Sequence, residues 1–244
     1  MKTLKENLRI LKLQHLEEKI DEYIKEADSK DITYQQFSKN IFSKEKDSLF
    51  ERRRLNRLHN ASIPVPYVME TFPFEKQVHL NKKRLLEKYD SLDYITKKTN
   101  MVFIGPAGAG KTGLATSFLT NAINKGYTGR FITFIDLMNE LLRSQADMSS
   151  KRVVGKYAKI DCLLIDELGY LEIDKTQCGI FFSLMQQRYK KKSTLITSNI
   201  GFKEWNEFFK NPHLCSALVD RLTDGGHVIN MKQCESIREP PVID

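Results

Sequence analysis

Cysteine is scarce and unpaired in this chain. Cys162, Cys178, Cys215 and Cys234 are scattered without a C-x-x-C pair, so neither a disulfide framework nor a zinc site is indicated. His213 beside Cys215 lacks the second pair of ligands that a structural metal would need. No apolar run approaches the roughly 20 residues required to cross a bilayer, and the leading MKTLKENLRI lacks the apolar centre of a signal peptide. Membrane association is therefore not expected, and the cytoplasm is the expected compartment. Internal repeats and low-complexity tracts are also missing, which excludes solenoids and disordered polymers.

What is present suits one ordinary α/β domain with a smaller appendage: 244 residues, 41% of them hydrophobic. Thirty-nine Lys and Arg against 31 Asp and Glu leave a net charge of +8, which points to a polyanionic partner.

The N-terminal 63 residues read as a helical module. Leu4, Leu8, Leu11, Leu16, Ile20 and Ile24 recur at helical spacing and predict one amphipathic helix, which Asp28 to Asp31 breaks. Thr33-x-x-Gln36 then reads as a capping box for a second helix carrying Phe37, Ile41, Leu49 and Leu58. Pro64 and Pro66 end the module, giving expected domains of 1–63 and 64–244. Arg52, Arg53, Arg54 and Arg57 lie on the second helix. Guanidinium forks at that density favour phosphate contact, while the plainer reading is a solvated charge run.

From Met101 onward the chain alternates strand and helix, which marks a parallel sheet. Strands are expected at Met101 to Ile104, Phe131 to Ile135, Cys162 to Ile165, Thr194 to Thr197 and His227 to Met231. Helices are expected at Lys82 to Ile95, Lys111 to Asn124, Asp136 to Arg143, Thr176 to Lys190, Lys203 to Phe209 and His213 to Leu222.

The first strand runs into Gly105-Pro106-Ala107-Gly108-Ala109-Gly110-Lys111-Thr112-Gly113, a G-x-x-x-x-G-K-T phosphate-binding loop. Glycines let backbone N–H groups turn inward around phosphate oxygens, Lys111 adds a cation, and Thr112 offers a hydroxyl to Mg²⁺. The third strand ends in Asp166-Glu167. Asp166 would hold Mg²⁺ and Glu167 would polarise an attacking water. The fourth strand delivers Asn199 to the same sheet edge, where an amide can bond the γ-phosphate or that water, although Asn is equally a common turn former. ATP and Mg²⁺ are the expected ligands.

The order GPAGAGKT, LLIDELGYL, RYKKKSTLITSN, FKEWNEFF and DRL, led by LKLQHLEEKIDEY and the ERRRLNR block, resembles the IstB-like ATP-binding proteins. These belong to the AAA+ class of P-loop ATPases, are helpers of insertion-sequence transposition, and are close relatives of DnaC-like helicase loaders. The resemblance implies an α/β AAA+ fold with a five-stranded parallel sheet, preceded by a helical module and without a C-terminal helical lid. It implies Asp166 and Glu167 as the Walker B pair, Asn199 as sensor 1, Arg221 as an arginine finger and Arg238 as a sensor 2 residue. It further implies ATP hydrolysis, assembly into a ring or spiral on duplex DNA without sequence preference, and a partner transposase. A helicase loader remains the alternative, and a P-loop kinase and a slow ATP-driven switch are the others. Lys151, Arg152 and Lys156 join the four arginines as candidate DNA contacts. The chain departs from the family at Ala107 and Ala109, and in having Glu172 after Leu171, without losing a phosphate-contacting group.

Overall fold

The computed structural model describes residues 3–146, 148–170 and 173–238. The chain divides into two compact units, residues 1–56 and 57–244.

In the first unit, α1 (Leu4–Ile10) and α2 (Gln14–Lys30) replace the single helix expected there. The five-residue step from Leu11 to Leu16 is out of phase with a helical face, and Lys12 between them adopts a left-handed φ of 58°. Breaking the helix at that point lets Leu8, Leu16 and Ile20 share one small apolar cluster with Phe37 and Ile41 of α3 (Tyr34–Ala61). Thr33 accepts the Gln36 N–H at 3.3 Å as the expected start of α3. The buried Glu45 carboxylate accepts the Leu16 N–H at 2.8 Å and is paired with Arg52 at 3.1 Å.

The second unit continues past the prolines through two 3-10 turns, Met69–Thr71 and Phe74–Lys76, into α4 (Lys82–Ser91) and a short α5 (Asp93–Thr96). The expected helix over 82–95 is divided at Leu92, which is left-handed with φ 52°. Then follow β1 (Met101–Ile104), α6 (Lys111–Asn124), β2 (Gly129–Thr133), α7 (Phe134–Ala146), α8 (Ser150–Lys159), β3 (Cys162–Leu168), α9 (Lys175–Arg188), β4 (Ser193–Ser198), α10 (Phe202–Phe209), α11 (Pro212–Thr223) and β5 (His227–Asn230). Phe134 and Ile135, expected in a strand, instead open α7. The Thr133 hydroxyl takes the Asp136 N–H at 3.1 Å and donates to the Asp136 carboxylate at 2.7 Å, and this cap starts the helix two residues early. The Leu171 and Glu172 positions lie outside the described residues.

All five strands are parallel, in the order β2-β3-β4-β1-β5. Strands buried on both faces read as continuous apolar runs, as Met101 to Ile104 and Cys162 to Ile165 do. One face packs Val102, Ile165 and Ile196 against α7, α9 and the aromatic cluster Phe134, Phe181, Trp205 and Phe209. The other packs Phe103, Leu164 and Leu195 against α6 and α4. Among the described residues no helix follows β5.

Placement of β4 rests on an unusual buried cation. Arg188 is 1% exposed and has no carboxylate partner among the described residues. Its guanidinium donates to Tyr157 O at 2.6 Å, Ile160 O at 2.8 Å, Thr194 Oγ1 at 3.0 Å and Ser193 O. Burial pulls its pKa down to about 10, so it is still charged at neutral pH. It thereby joins the ends of α8 and α9 to the start of β4. Arg188→Ala leaves these acceptors unsatisfied and should cost about 3–5 kcal/mol. The check is the urea midpoint at unchanged m-value, and a loss below about 1 kcal/mol would contradict this placement.

Candidate nucleotide site

The sheet topology brings the β1, β3 and β4 ends to one edge, where open α/β sheets bind ligands. The Gly105–Gly110 loop leaves β1 there and enters α6. Gly108 and Gly110 have φ of 82° and 88°, a region costly for residues with a side chain. Space is short as well. A Cβ at Gly110 would lie 2.8 Å from the Phe72 ring, and one at Gly105 would lie 2.6 Å from Met231 O. The first turn of α6 has no side-chain cap, so its N–H groups are available to an anion.

Lys111 is nearly buried, and its ammonium donates to Gly105 O at 2.9 Å and Pro106 O at 2.8 Å. Desolvation lowers its pKa, with Asp166 acting in the opposite direction. Asp166 lies beneath the loop at 4% exposure. It accepts from Thr112 Oγ1 at 2.9 and 3.2 Å and from the Thr197 hydroxyl. Burial nevertheless raises its pKa, because two hydroxyl donors do not replace full hydration. A cation at this point would offset that penalty. The oxygen-only pair of Thr112 and Asp166 suits Mg²⁺, which commonly takes one carboxylate plus substrate phosphates. Among the described residues no cluster of three His, Cys, Asp or Glu forms a separate metal site.

Glu167 breaks the strand alternation. It has φ 64° at a register shift between Ile165 and Leu168, and its N–H donates to Thr197 Oγ1 at 3.0 Å. A non-glycine residue held there costs on the order of 1–3 kcal/mol, and such outliers gather at functional sites. The result is an exposed carboxylate on the cleft wall, next to Lys111 and Thr112. Asn199 lines the same cleft. Its Oδ1 is buried beside Gly169 and has no hydrogen-bond partner among the described residues.

Arg238 also lines the cleft, brought there by the segment after β5. Ile237 N–H donates to Gly108 O at 3.0 Å, and the buried Gln77 amide donates to Glu235 O at 2.7 Å and Ala109 O at 3.5 Å. Arg221 is elsewhere in this chain. Its guanidinium donates to Gln186 at 2.5 Å and Ala217 O at 2.7 Å and lies over the Phe182 ring.

The candidate DNA contacts are also unequal. Arg52 is paired with Glu45, Arg54 with Glu51 at 2.6 Å, and Lys156 with Glu140 at 2.7 Å. Arg53, Lys151 and Arg152 are exposed, and Arg57 is half-buried.

No sequence periodicity or motif marks Tyr67, Phe72, Gln77, Thr197 and Ile237. Tyr67 packs its ring on Gly113, at 3.2 Å from where a Cβ would be. These residues lie in aperiodic segments or, for Thr197, in a strand whose apolar run masks a polar contact. The crowding glycines Gly110 and Gly113 were the available hint.

Known proteins resemble this chain along most of its length. A family model described as IstB-like ATP binding protein matches residues 6–240. The chain is 32% identical to a protein named as the ATP-binding protein of insertion sequence IS232 from Bacillus thuringiensis subsp. berliner, over 92% of this chain and 90% of that one. It is 28% identical to the corresponding protein of insertion sequence IS21 from Pseudomonas aeruginosa, over 91% and 83%. Its fold is shared with the crystal structure of a DnaC helicase loader, with TM-score 0.52 and 19% identity over 74% of this chain and 99% of that one. The match along nearly the whole chain means that the chain belongs to the IstB-like ATP-binding protein family.

Proposed function

We propose that this protein is a Mg²⁺-dependent ATPase that assembles on duplex DNA and assists a partner transposase in selecting its target. The observation that carries the ATPase part is the convergence of Lys111, Thr112, Glu167, Asn199 and Arg238 on one cleft, with Asp166 beneath it. The transposition part is supported by the names of the insertion-sequence relatives.

Loop N–H groups and Lys111 hold the β- and γ-phosphates and neutralise charge as it develops. Lys111 would exchange its bonds to Gly105 O and Pro106 O for phosphate oxygens. Thr112 and Asp166 would hold Mg²⁺, which supplies Lewis-acid stabilisation of the phosphate oxygens when bound. Glu167 takes up proton density from the attacking water, and the Asn199 amide, on the same cleft wall, would bond that water or the γ-phosphate. Arg238 adds positive charge on the cleft wall. Arg221, fixed on Phe182 and Gln186 of its own chain, is outside this cleft and would serve the site of a neighbouring copy in a ring or spiral. Exposed Arg53, Lys151 and Arg152 meet DNA phosphates, whereas Arg52, Arg54 and Lys156 first satisfy carboxylates of their own chain. The cytoplasm is the proposed compartment; among the described residues no helix is long and apolar enough to cross a membrane.

Lys111→Ala should abolish ATP binding in a calorimetric titration, and unchanged affinity would remove the loop from the site. Glu167→Gln should keep ATP affinity and lower phosphate release by roughly 10²- to 10⁴-fold. Full turnover in that variant would take Glu167 out of the base role.

Duplex DNA binding should weaken steeply with salt and show little sequence preference. The triple variant Arg53→Ala, Lys151→Ala, Arg152→Ala should reduce the slope of log K against log salt by about three. A slope equal to that of the unsubstituted protein would move DNA contact to another surface.

A further inference from the structure

β5 is one of the two edge strands of the sheet, and among the described residues no strand pairs with its outer side. His227 N–H donates to Asn100 O at 2.8 Å and Met231 N–H donates to Ile104 O at 2.6 Å, so in the parallel pairing these positions bond inward to β1. Val228 and Asn230 therefore turn their main-chain N–H and C=O groups to the free edge. Neither N–H takes a partner from another element among the described residues. Exposed edges are usually blunted by charged side chains on the strand itself. β5, His-Val-Ile-Asn, has no Lys, Arg, Asp or Glu, and Val228 is 46% exposed.

The positive charge is on the opposite wall. A groove runs between β5 and α4, lined by His79, Arg84, Lys88 and His227, with no acidic residue among its lining. Lys88 Nζ meets His227 Nε2 at 2.9 Å, a cation on a ring nitrogen. Asp93, the nearby acid acting on both Lys88 and His227, is paired at contact distance with Lys97, at 3.2 Å. Arg84 has no carboxylate partner among the described residues. Both cations sit one helical turn apart on α4, a rise of about 6 Å. Alternate residues of an extended strand are separated by about 6.8 Å and face the same side.

We propose that this groove docks an extended acidic segment of a partner protein, which adds to the sheet beside β5 and sets carboxylates at alternate positions against Arg84 and Lys88. Main-chain bonds to Val228 and Asn230 supply the pairing, and the basic wall selects charge. A peptide main chain satisfies both the N–H and the C=O groups of the open edge. A nucleic-acid backbone would satisfy only the N–H groups and would meet the carbonyls with like partial charge. None of these residues belongs to the nucleotide cleft, so the groove is independent of the proposed ATPase.

The test uses the full chain and a fluorescein-labelled peptide of alternating Glu and Val, followed by anisotropy and by amide hydrogen exchange. The peptide is expected to bind saturably and to slow exchange at Val228 and Asn230. Methylation of alternate peptide amides should abolish both effects. The variants R84E/K88E and R84Q/K88Q should weaken binding by about tenfold or more, the charge reversal more strongly, with ATP affinity unchanged. A Lys-Val peptide should not bind. No saturable binding at millimolar peptide, indifference to amide methylation or to both variants, or protection of Val228 and Asn230 by a short DNA duplex but not by the peptide would each overturn the proposal.

Discussion

One hydroxyl holds the two acids of the cleft in their different roles. Thr197 Oγ1 donates to the buried Asp166 carboxylate and accepts the Glu167 N–H. A single side chain of β4 thus bonds two consecutive residues of β3 at the point where the register between those strands shifts. Without the shift, Asp166 and Glu167 would point to opposite faces of the sheet. With it, Asp166 stays beneath Thr112 and Glu167 turns out into the cleft through a left-handed backbone. The cost of that conformation, and of a buried carboxylate, is offset by bonds that end on the same oxygen.

The rest of the fold serves this junction. Arg188 secures the start of β4 from below, and the aromatic cluster around Trp205 secures the strand's far end, where the indole N–H donates to Ser198 Oγ at 3.2 Å. The phosphate loop is framed from both directions of the chain. Tyr67 and Phe72 press on Gly113 and Gly110 from before β1, and Ile237 and Ser236 press on the loop from after β5. Gln77 bonds both the loop and the later segment. The loop and the segment that carries Arg238 are therefore in direct contact.

Much of this was legible in the sequence because the signals were local. A glycine-rich loop after four apolar residues, and an acid doublet ending another apolar run, each encode a strand end within eight residues. The parallel sheet followed from alternation. What was not legible depends on tertiary contact. The break between Leu11 and Leu16 shows as a phase slip only once the cluster around Leu8 is known. Thr133 looks like a strand residue until its hydroxyl caps α7. Tyr67, Phe72 and Gln77 act by touching glycines and carbonyls distant in sequence, and no periodicity marks such residues. Arginine counts likewise overstated the free positive charge, since Arg52 and Arg54 find carboxylates on their own helix.

The account depends on the Thr197 hydroxyl separating binding from the proposed hydrolysis, and steady-state ATPase measurement with independently measured ATP affinity tests this directly. Thr197→Val keeps the side-chain volume and removes the hydroxyl, so ATP affinity should stay within about threefold while kcat falls by roughly 10²-fold. Thr197→Ser, which restores the hydroxyl alone, should recover most of that loss. A Thr197→Val protein that hydrolyses ATP at the rate of the unsubstituted chain would contradict the account.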